Sequence, residues 1–224
     1  MLSLCQDVLC ILCDELTDSE KMSLLSTSKL ISWLKHQFIY HTQIQIHKIH
    51  TLPFYDNFSR VKMNVTGYFD CKKYKGGKLP QSVTHLEFDD NFDYPIDNLI
   101  PQTVTHLTFG WNFNQKIMGN IPSSVTNLTF GYRFNQPIEH CIPSSVTHLS
   151  FDVTCHSTRS HNYIISHRNQ HPIKDELPPS VRYLIFNKKI KRLLKDEAPI
   201  FSRKIYKNSS NILMCEKHIT ITFN

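Results

Sequence analysis

A ten-residue phrase recurs along the middle of this chain every 21 residues, and no other feature limits the fold as tightly. It first reads Leu79-Pro80-Gln81-Ser82-Val83-Thr84-His85-Leu86-Glu87-Phe88. It returns from Ile100 to Phe109, from Ile121 to Phe130 and from Ile142 to Phe151. A fifth copy, Leu177 to Phe186, follows a longer gap. A period this short is that of a stacked solenoid, in which one supersecondary unit buries its apolar face against the next.

Each unit carries apolar residues in phase. The first has Leu79, Val83, Leu86, Phe88, Phe92 and Ile96; the next has Ile100, Val104, Leu107, Phe109, Phe113 and Ile117; the third has Ile121, Val125, Leu128, Phe130, Phe134 and Ile138. Val-x-x-Leu-x-Phe has the spacing of a leucine-rich-repeat strand. Its alternation is that of a half-buried strand, stacked on its neighbours at about 4.8 Å. Each large side chain so hidden contributes roughly 1.5–3 kcal/mol before ordering costs. Pro80, Pro101, Pro122, Pro143 and Pro178 mark the turn into each strand, since proline has no N–H for a ladder. The Ser or Thr two residues later is expected to bond backbone within that turn. Thr84, Thr105, Thr126 and Thr147 share a register and should form a column. Asn91 and Asn112, and Asn114 and Asn135, should satisfy backbone where the coil bends away.

The strand residues that alternate outward vary, as a recognition surface would. They are His85, Glu87 and Asp89; His106, Thr108 and Gly110; Asn127, Thr129 and Gly131; His148, Ser150 and Asp152; and Tyr183, Ile185 and Asn187. Exposed sheets of solenoids are where partners dock. Asn127 interrupts the histidine column, and the Cys155, His156, His161, His167, His171 stretch after the fourth strand matches no standard finger spacing, so neither is read as a metal site. The interval from Ile142 to Leu177 is 35 residues, about 14 longer than the period, and a long loop is either functional or tolerated.

No Ser-His-Asp order, paired-carboxylate pocket or glycine-rich phosphate loop is present, so the sequence does not read as an enzyme and calls for no cofactor. The net charge of +6 is concentrated at Lys72 to Lys78 and from Lys188 to Lys207. A solvated face explains that better than nucleic-acid binding does. Seven cysteines at irregular spacing argue for a reducing compartment. No secretory signal or apolar run long enough for a membrane span is read, so the expected location is the cytoplasm.

The repeat resembles the FNIP repeat family, known from slime moulds and giant DNA viruses. Its Phe-Asn-x-Pro-like core appears as Phe134-Asn135-Gln136-Pro137-Ile138, Phe113-Asn114-Gln115-Lys116-Ile117 and Phe92-Asp93-Tyr94-Pro95-Ile96. The likeness covers residues 79–186, with a degenerate coil from Leu52-Pro53. It implies a leucine-rich-repeat-like solenoid without catalytic residues, and a host cytoplasm if the chain is viral.

Residues 2–40 follow another grammar. Val8, Leu9, Ile11, Leu12 and Leu16 recur at helical spacing. Thr17 and Glu20 stand in capping-box register, and Leu30, Ile31, Trp33 and Leu34 suggest a third short helix. Cys10-Ile11-Leu12-Cys13 is read as helix packing. The segment resembles an F-box through Leu4, Asp7-Val8-Leu9, Ile11, Leu16, Leu24, Ser26-Thr27-Ser28-Lys29 and Trp33, with Cys5 where that family has proline. The resemblance implies docking of Leu4, Val8, Leu9, Ile11, Leu12 and Leu16 onto the Skp-type adaptor of a cullin–RING ubiquitin ligase. The other reading is a helical cap on the open end of the solenoid.

The expected organisation is therefore α+β. It comprises an F-box-like helical segment (1–40), a linker or degenerate first coil (41–78), and repeats with parallel strands (79–187, coils starting at 79, 100, 121, 142 and 177). A basic segment and C-terminal cap (188–224) would follow, with Ile219, Ile221 and Phe223 alternating in a final strand. The expected function is a protein-interaction adaptor that recruits a target protein to a ubiquitin ligase. The alternative is a binding module with no link to ubiquitination.

Overall fold

The computed structural model describes residues 2–74, 76–153, 177–188, 211–214 and 218–222. Two helices open the chain, α1 (Leu2–Asp14) and α2 (Asp18–Ser26), followed by a 3-10 turn at Ser32–His36. Helix α2 begins where the sequence placed a start. Thr17 N–H donates to Glu20 Oε2 at 2.9 Å and Glu20 N–H to Thr17 Oγ1 at 3.4 Å, closing a capping box. Asp18 and Glu20 put negative charge in the first turn, against the positive end of the helix dipole. Asp18 Oδ2 also accepts from the N–H groups of His41 and Thr42 at 2.6 and 2.5 Å, tying the helix to the chain that enters the sheet.

Among the described residues one sheet holds nine strands. They are β1 (Ile44–Gln45), β2 (Arg60–Met63), β3 (His85–Phe88), β4 (His106–Thr108), β5 (Asn127–Phe130), β6 (His148–Val153), β7 (Tyr183–Lys188), β8 (Asn211–Met214) and β9 (His218–Thr222). Their order is β1-β2-β3-β4-β5-β6-β7-β9-β8. Pairing is parallel from β1 to β7 and antiparallel at β7–β9 and β9–β8. The period of the sequence becomes the register of the sheet. Leu86 pairs with Leu107, Leu107 with Leu128, Leu128 with Leu149, and Leu149 with Leu184. Because β6 and β7 are neighbours, the ladder continues across the longer interval before the fifth copy. The C-terminal alternation at Ile219 and Ile221 is a strand against the last repeat; Phe223, the Cys155-to-His171 stretch and the basic run beyond Lys188 lie outside the described residues.

Residues 41–78 hold β1, β2 and helix α3 (Val65–Tyr74). Ile46, read as part of an alternating strand, instead starts a 3-10 turn (Ile46–Lys48) with its side chain buried. The turn expected over Lys72–Lys78 is also narrower. Lys72 and Lys73 belong to α3, and Gly76 and Gly77, at φ of 59° and 79°, make the turn itself. Tyr68 of α3 reaches the first repeat, donating its hydroxyl to the Pro95 carbonyl at 3.0 Å and meeting Phe92 edge to face.

All the apolar positions read from the three full coils are buried, and they join Cys13, Leu25 and Leu34 of the N-terminal helices in a single core cluster. Inside it Phe88, Phe109, Phe130 and Phe151 form a column with ring centroids 5.2–5.5 Å apart. Phe113 and Phe134 lie 4.0 and 3.9 Å from their coil partners Phe109 and Phe130. Each proline closes a turn, its carbonyl accepting from the valine three residues on: Val83, Val104, Val125, Val146 and Val181.

One expectation is corrected here. The Ser or Thr after the proline does not bond within its own turn. Ser82 Oγ donates to the Phe58 carbonyl, Thr103 Oγ1 to Val83, Ser124 Oγ to Val104 and Ser145 Oγ to Val125, at 2.7–3.0 Å. A stacked coil offers a carbonyl of the preceding coil directly opposite, so these hydroxyls tie coil to coil.

Candidate functional site

Two surfaces carry the residues singled out in the sequence. The first is the outward side of the parallel strands, whose in-register pairing turns single residues into columns. Arg60, His85, His106, Asn127, His148 and Tyr183 make one column. Lys62, Glu87, Thr108, Thr129, Ser150 and Ile185 make the next. His106 and Tyr183 are exposed, and His85, Glu87, Asp89, Thr108, Asn127, Thr129, His148, Asp152 and Ile185 are partly exposed. Ser150 departs from the expected surface: it is 9% exposed. Gly110 and Gly131 are buried. A Cβ on Gly131 would lie 2.0 Å from the Gly110 carbonyl oxygen, and one on Gly110 would lie 2.2 Å from that of Asp89. Glycine is therefore the coil's requirement at both positions.

The histidine column is ordered by stacking. The rings of His85 and His106 lie 4.1 Å apart and within 8° of parallel, and His148 stacks on Tyr183 at 4.4 Å. Each ring also has a fixed edge. Nδ1 of His85, His106 and His148 lies 2.9, 2.9 and 2.8 Å from Oγ1 of the threonine just before it, Thr84, Thr105 and Thr147. Asn127 repeats the contact, with Oδ1 2.9 Å from Thr126 Oγ1. Partial burial holds the His85 and His106 pKa values below the usual histidine range. Neighbouring positive charge adds to this, from His106 and Arg60 for His85 and from Arg60 and His148 for His106.

Sequence reading had left out Arg60, Lys62 and Gln43. Lys62 Nζ pairs with Glu87 Oε1 at 2.5 Å and Gln43 Nε2 donates to Glu87 Oε2 at 2.6 Å. The Glu87 contact raises the Lys62 pKa. The signal for β2 was present as the alternation Arg60-Val61-Lys62-Met63. Also unread were Trp111 and Tyr132, which stack at 4.6 Å beyond the strand ends.

The second surface is α1. Val8, Ile11 and Leu12 are 51%, 66% and 53% exposed. Leu9 turns the other way and packs against the core, and Leu16 is half-buried. Leu16 lies past the end of α1, and the Leu4 side chain lies outside the described residues. Leu30 and Trp33 are also exposed, at 83% and 46%. Cys13 is fully buried and Cys10 partly so. Burial pushes the Cys13 thiol pKa up.

A family model described as FNIP Repeat matches residues 69–112 and 113–152, so the chain carries FNIP repeats. Among solved structures the chain is similar to one described as the crystal structure of CroV588, a novel circular LRR protein structure. That likeness has a TM-score of 0.43 and 28% identity, and covers 67% of this chain and 20% of the other. This chain thus spans about a fifth of the length of that protein. No curated protein matches.

Proposed function

We propose that this chain is a protein-interaction adaptor: the outward strand face of the repeats recruits a target protein, and the exposed side of α1 docks it onto the Skp-type adaptor of a cullin–RING ubiquitin ligase. A repeat solenoid is an architecture suited to protein–protein contact. The observation that supports the docking half is the split of α1. Leu9 and Cys13 face the core, while Val8, Ile11 and Leu12 leave a row of large apolar side chains uncovered. A helix that only capped the solenoid would have no reason to keep that row apolar. Any covalent chemistry belongs to the partners, and the expected place of action is the cytoplasm.

A second reading, a capped binding module without ubiquitin chemistry, is favoured by one observation. Cys13, Leu25 and Leu34 are buried in the same core cluster as the coils, which supports a capping role for the helical segment. The two readings part on the outer face alone. Pull-down with a purified Skp-type adaptor decides between them. Wild type should bind and an Ile11→Asp/Leu12→Asp double variant should not. Absence of wild-type binding, or equal binding by the variant, leaves the capped module. Deleting residues 1–40 would be a poorer test, because it would uncover the core.

A further inference from the structure

We infer that Cys10 and Cys13 of α1 are a reversible thiol–disulfide pair, closed by a peroxide, and that closure withdraws the apolar row Val8, Ile11 and Leu12 from its partner. The inference rests on the reading of that row as the docking surface and adds the regulation of the same site.

The two sides of α1 carry different chemistry. Val8, Ile11 and Leu12 face outward. Leu9, Cys10 and Cys13 pack on the core, Cys10 partly and Cys13 fully buried. Both thiols are free, and they lie close enough to act on each other electrostatically. A spacing of three puts them on one face of the helix, about one turn apart. Helix geometry sets their Cα atoms about 5 Å from each other, inside the range that a disulfide spans.

Burial assigns the two sulfurs their roles. Solvent reaches Cys10, so Cys10 meets the oxidant. Burial pushes the Cys13 thiol pKa up, which keeps Cys13 protonated until Cys10 has reacted. The Cys10 thiolate attacks hydrogen peroxide and the O–O bond breaks. One oxygen stays on sulfur as a sulfenic acid, and the other leaves as hydroxide and is protonated to water. The Cys13 sulfur then attacks the Cys10 sulfur. An S–S bond forms, the S–O bond breaks, and the oxygen leaves with the Cys13 proton as a second water. Two thiols give up two electrons and one peroxide becomes two waters. Excess thiol reopens the bridge by exchange.

The bridge does not fit an undistorted helix. Cβ atoms three residues apart stand about 5–6 Å from each other, against about 3.5–4.5 Å in a disulfide. The turn between them must contract by about 1–2 Å, and the residues in that turn are Ile11 and Leu12. It lies at the end of α1, which stops at Asp14. Val8 sits outside the bridge, so Ile11 and Leu12 shift relative to it and the row loses its helical spacing. Closure also draws the Cys13 sulfur from the core cluster that it shares with Leu25 and Leu34. A bridge strained in this way is readily reduced. That suits a signal in a reducing compartment, where disulfides are transient. By linkage, a partner seated on the row holds the pair reduced.

The test uses the full chain carrying Cys5→Ser, so that Cys10 and Cys13 are the only thiols in the tryptic peptide of residues 1–21. The chain is treated with hydrogen peroxide, alkylated and digested. A peptide lighter by two hydrogens and closed to alkylation marks the bridge, and dithiothreitol should reopen it. Cys10→Ala should block it, and a melting curve checks that this variant folds. Amide hydrogen exchange across residues 2–14 should quicken at least about fivefold in the oxidised chain, and not in peroxide-treated Cys10→Ala. Affinity for the purified Skp-type adaptor should fall at least about fivefold on oxidation and return with dithiothreitol. Absence of the bridge, or a bridge that leaves the exchange of α1 unchanged, overturns the inference. So does undiminished adaptor binding by the oxidised chain. A reduced chain that ignores the adaptor sinks the docking reading alone, because the bridge and the exchange are read without any partner.

Discussion

The coils and the N-terminal helices share one core but are held by different kinds of contact. In the coils each large side chain meets its own copy one strand away. The Phe88, Phe109, Phe130 and Phe151 rings are within 7–20° of parallel at nearly constant spacing. Near the first strands the aromatic cluster is irregular. Tyr40, Phe54 and Phe58 meet at 5.1–6.0 Å with interplanar angles from 27° to 45°. Repetition makes each contact between coils a copy of the last, so a local defect is felt by two neighbours. The helical end rests on single, unrepeated contacts, and its outer face is free to serve a partner.

That contrast is broken hardest by emptying the aromatic column. Phe130→Ala removes a ring stacked on Phe109, Phe134 and Phe151 at once. It should cost about 3–5 kcal/mol in denaturant unfolding, at the upper end for a core truncation. A loss below about 1 kcal/mol would mean that the column is not a shared support. Gly131→Ala comes next. Its Cβ would meet the Gly110 backbone at 2.0 Å, which no side-chain rotation relieves. About 1–3 kcal/mol is expected from the forced separation of coils. Ala at Gly119, where φ is 73° and the surroundings are open, tests strain without crowding and should cost less.

The same comparison explains what the sequence could disclose. Leu86, Phe88, Phe92 and Ile96 were legible because their period dictates both burial and register. Asn98, Gly119 and His140 were not. All three have positive φ, at the same point of successive coils, but the shared conformation is hidden behind three different letters. The coil-to-coil hydroxyl bonds were missed because local sequence shows the turn and not the carbonyl of the coil beneath it. On α1 the helical spacing showed that Val8, Leu9, Ile11 and Leu12 were apolar. It could not say which side the solenoid would cover, and of these four Leu9 is the one that packs against the core. Arg60 and Lys62 escaped because β2 has the alternation of a repeat strand without the rest of the repeat.

At the helical end the expected effects are smaller. Thr17→Ala removes the capping box of α2 and should cost about 1 kcal/mol, measured as a shift in the unfolding midpoint. Tyr40 adds a pH dependence. Its ring is 1% exposed, and burial, helped by Asp18 and Cys13, pushes its pKa up to about 12 from 10.0. The folded state therefore holds this proton where the unfolded state has released it. Stability should fall as pH rises above about 10, with the loss continuing to about 12. Tyr40→Phe should flatten that part of the profile, at the cost of the hydrogen bond to the Lys35 carbonyl.

The smallest effect is the one that separates scaffold from function. Ile11 and Leu12 are more than half exposed, so Ile11→Asp/Leu12→Asp should change stability by no more than about 0.5 kcal/mol per site. Leu9→Asp, partly buried against the core on the other side of the same helix, partly desolvates a charge and should destabilise more. Equal losses at both faces would mean that the outer row is packed in solution, and the docking reading of α1 would fall with it. A silent outer face beside a costly inner one would show a helix whose two sides answer to different demands. The core then sets Leu9 and Cys13, while fold stability leaves Ile11 and Leu12 unconstrained, so that their apolar character calls for a partner.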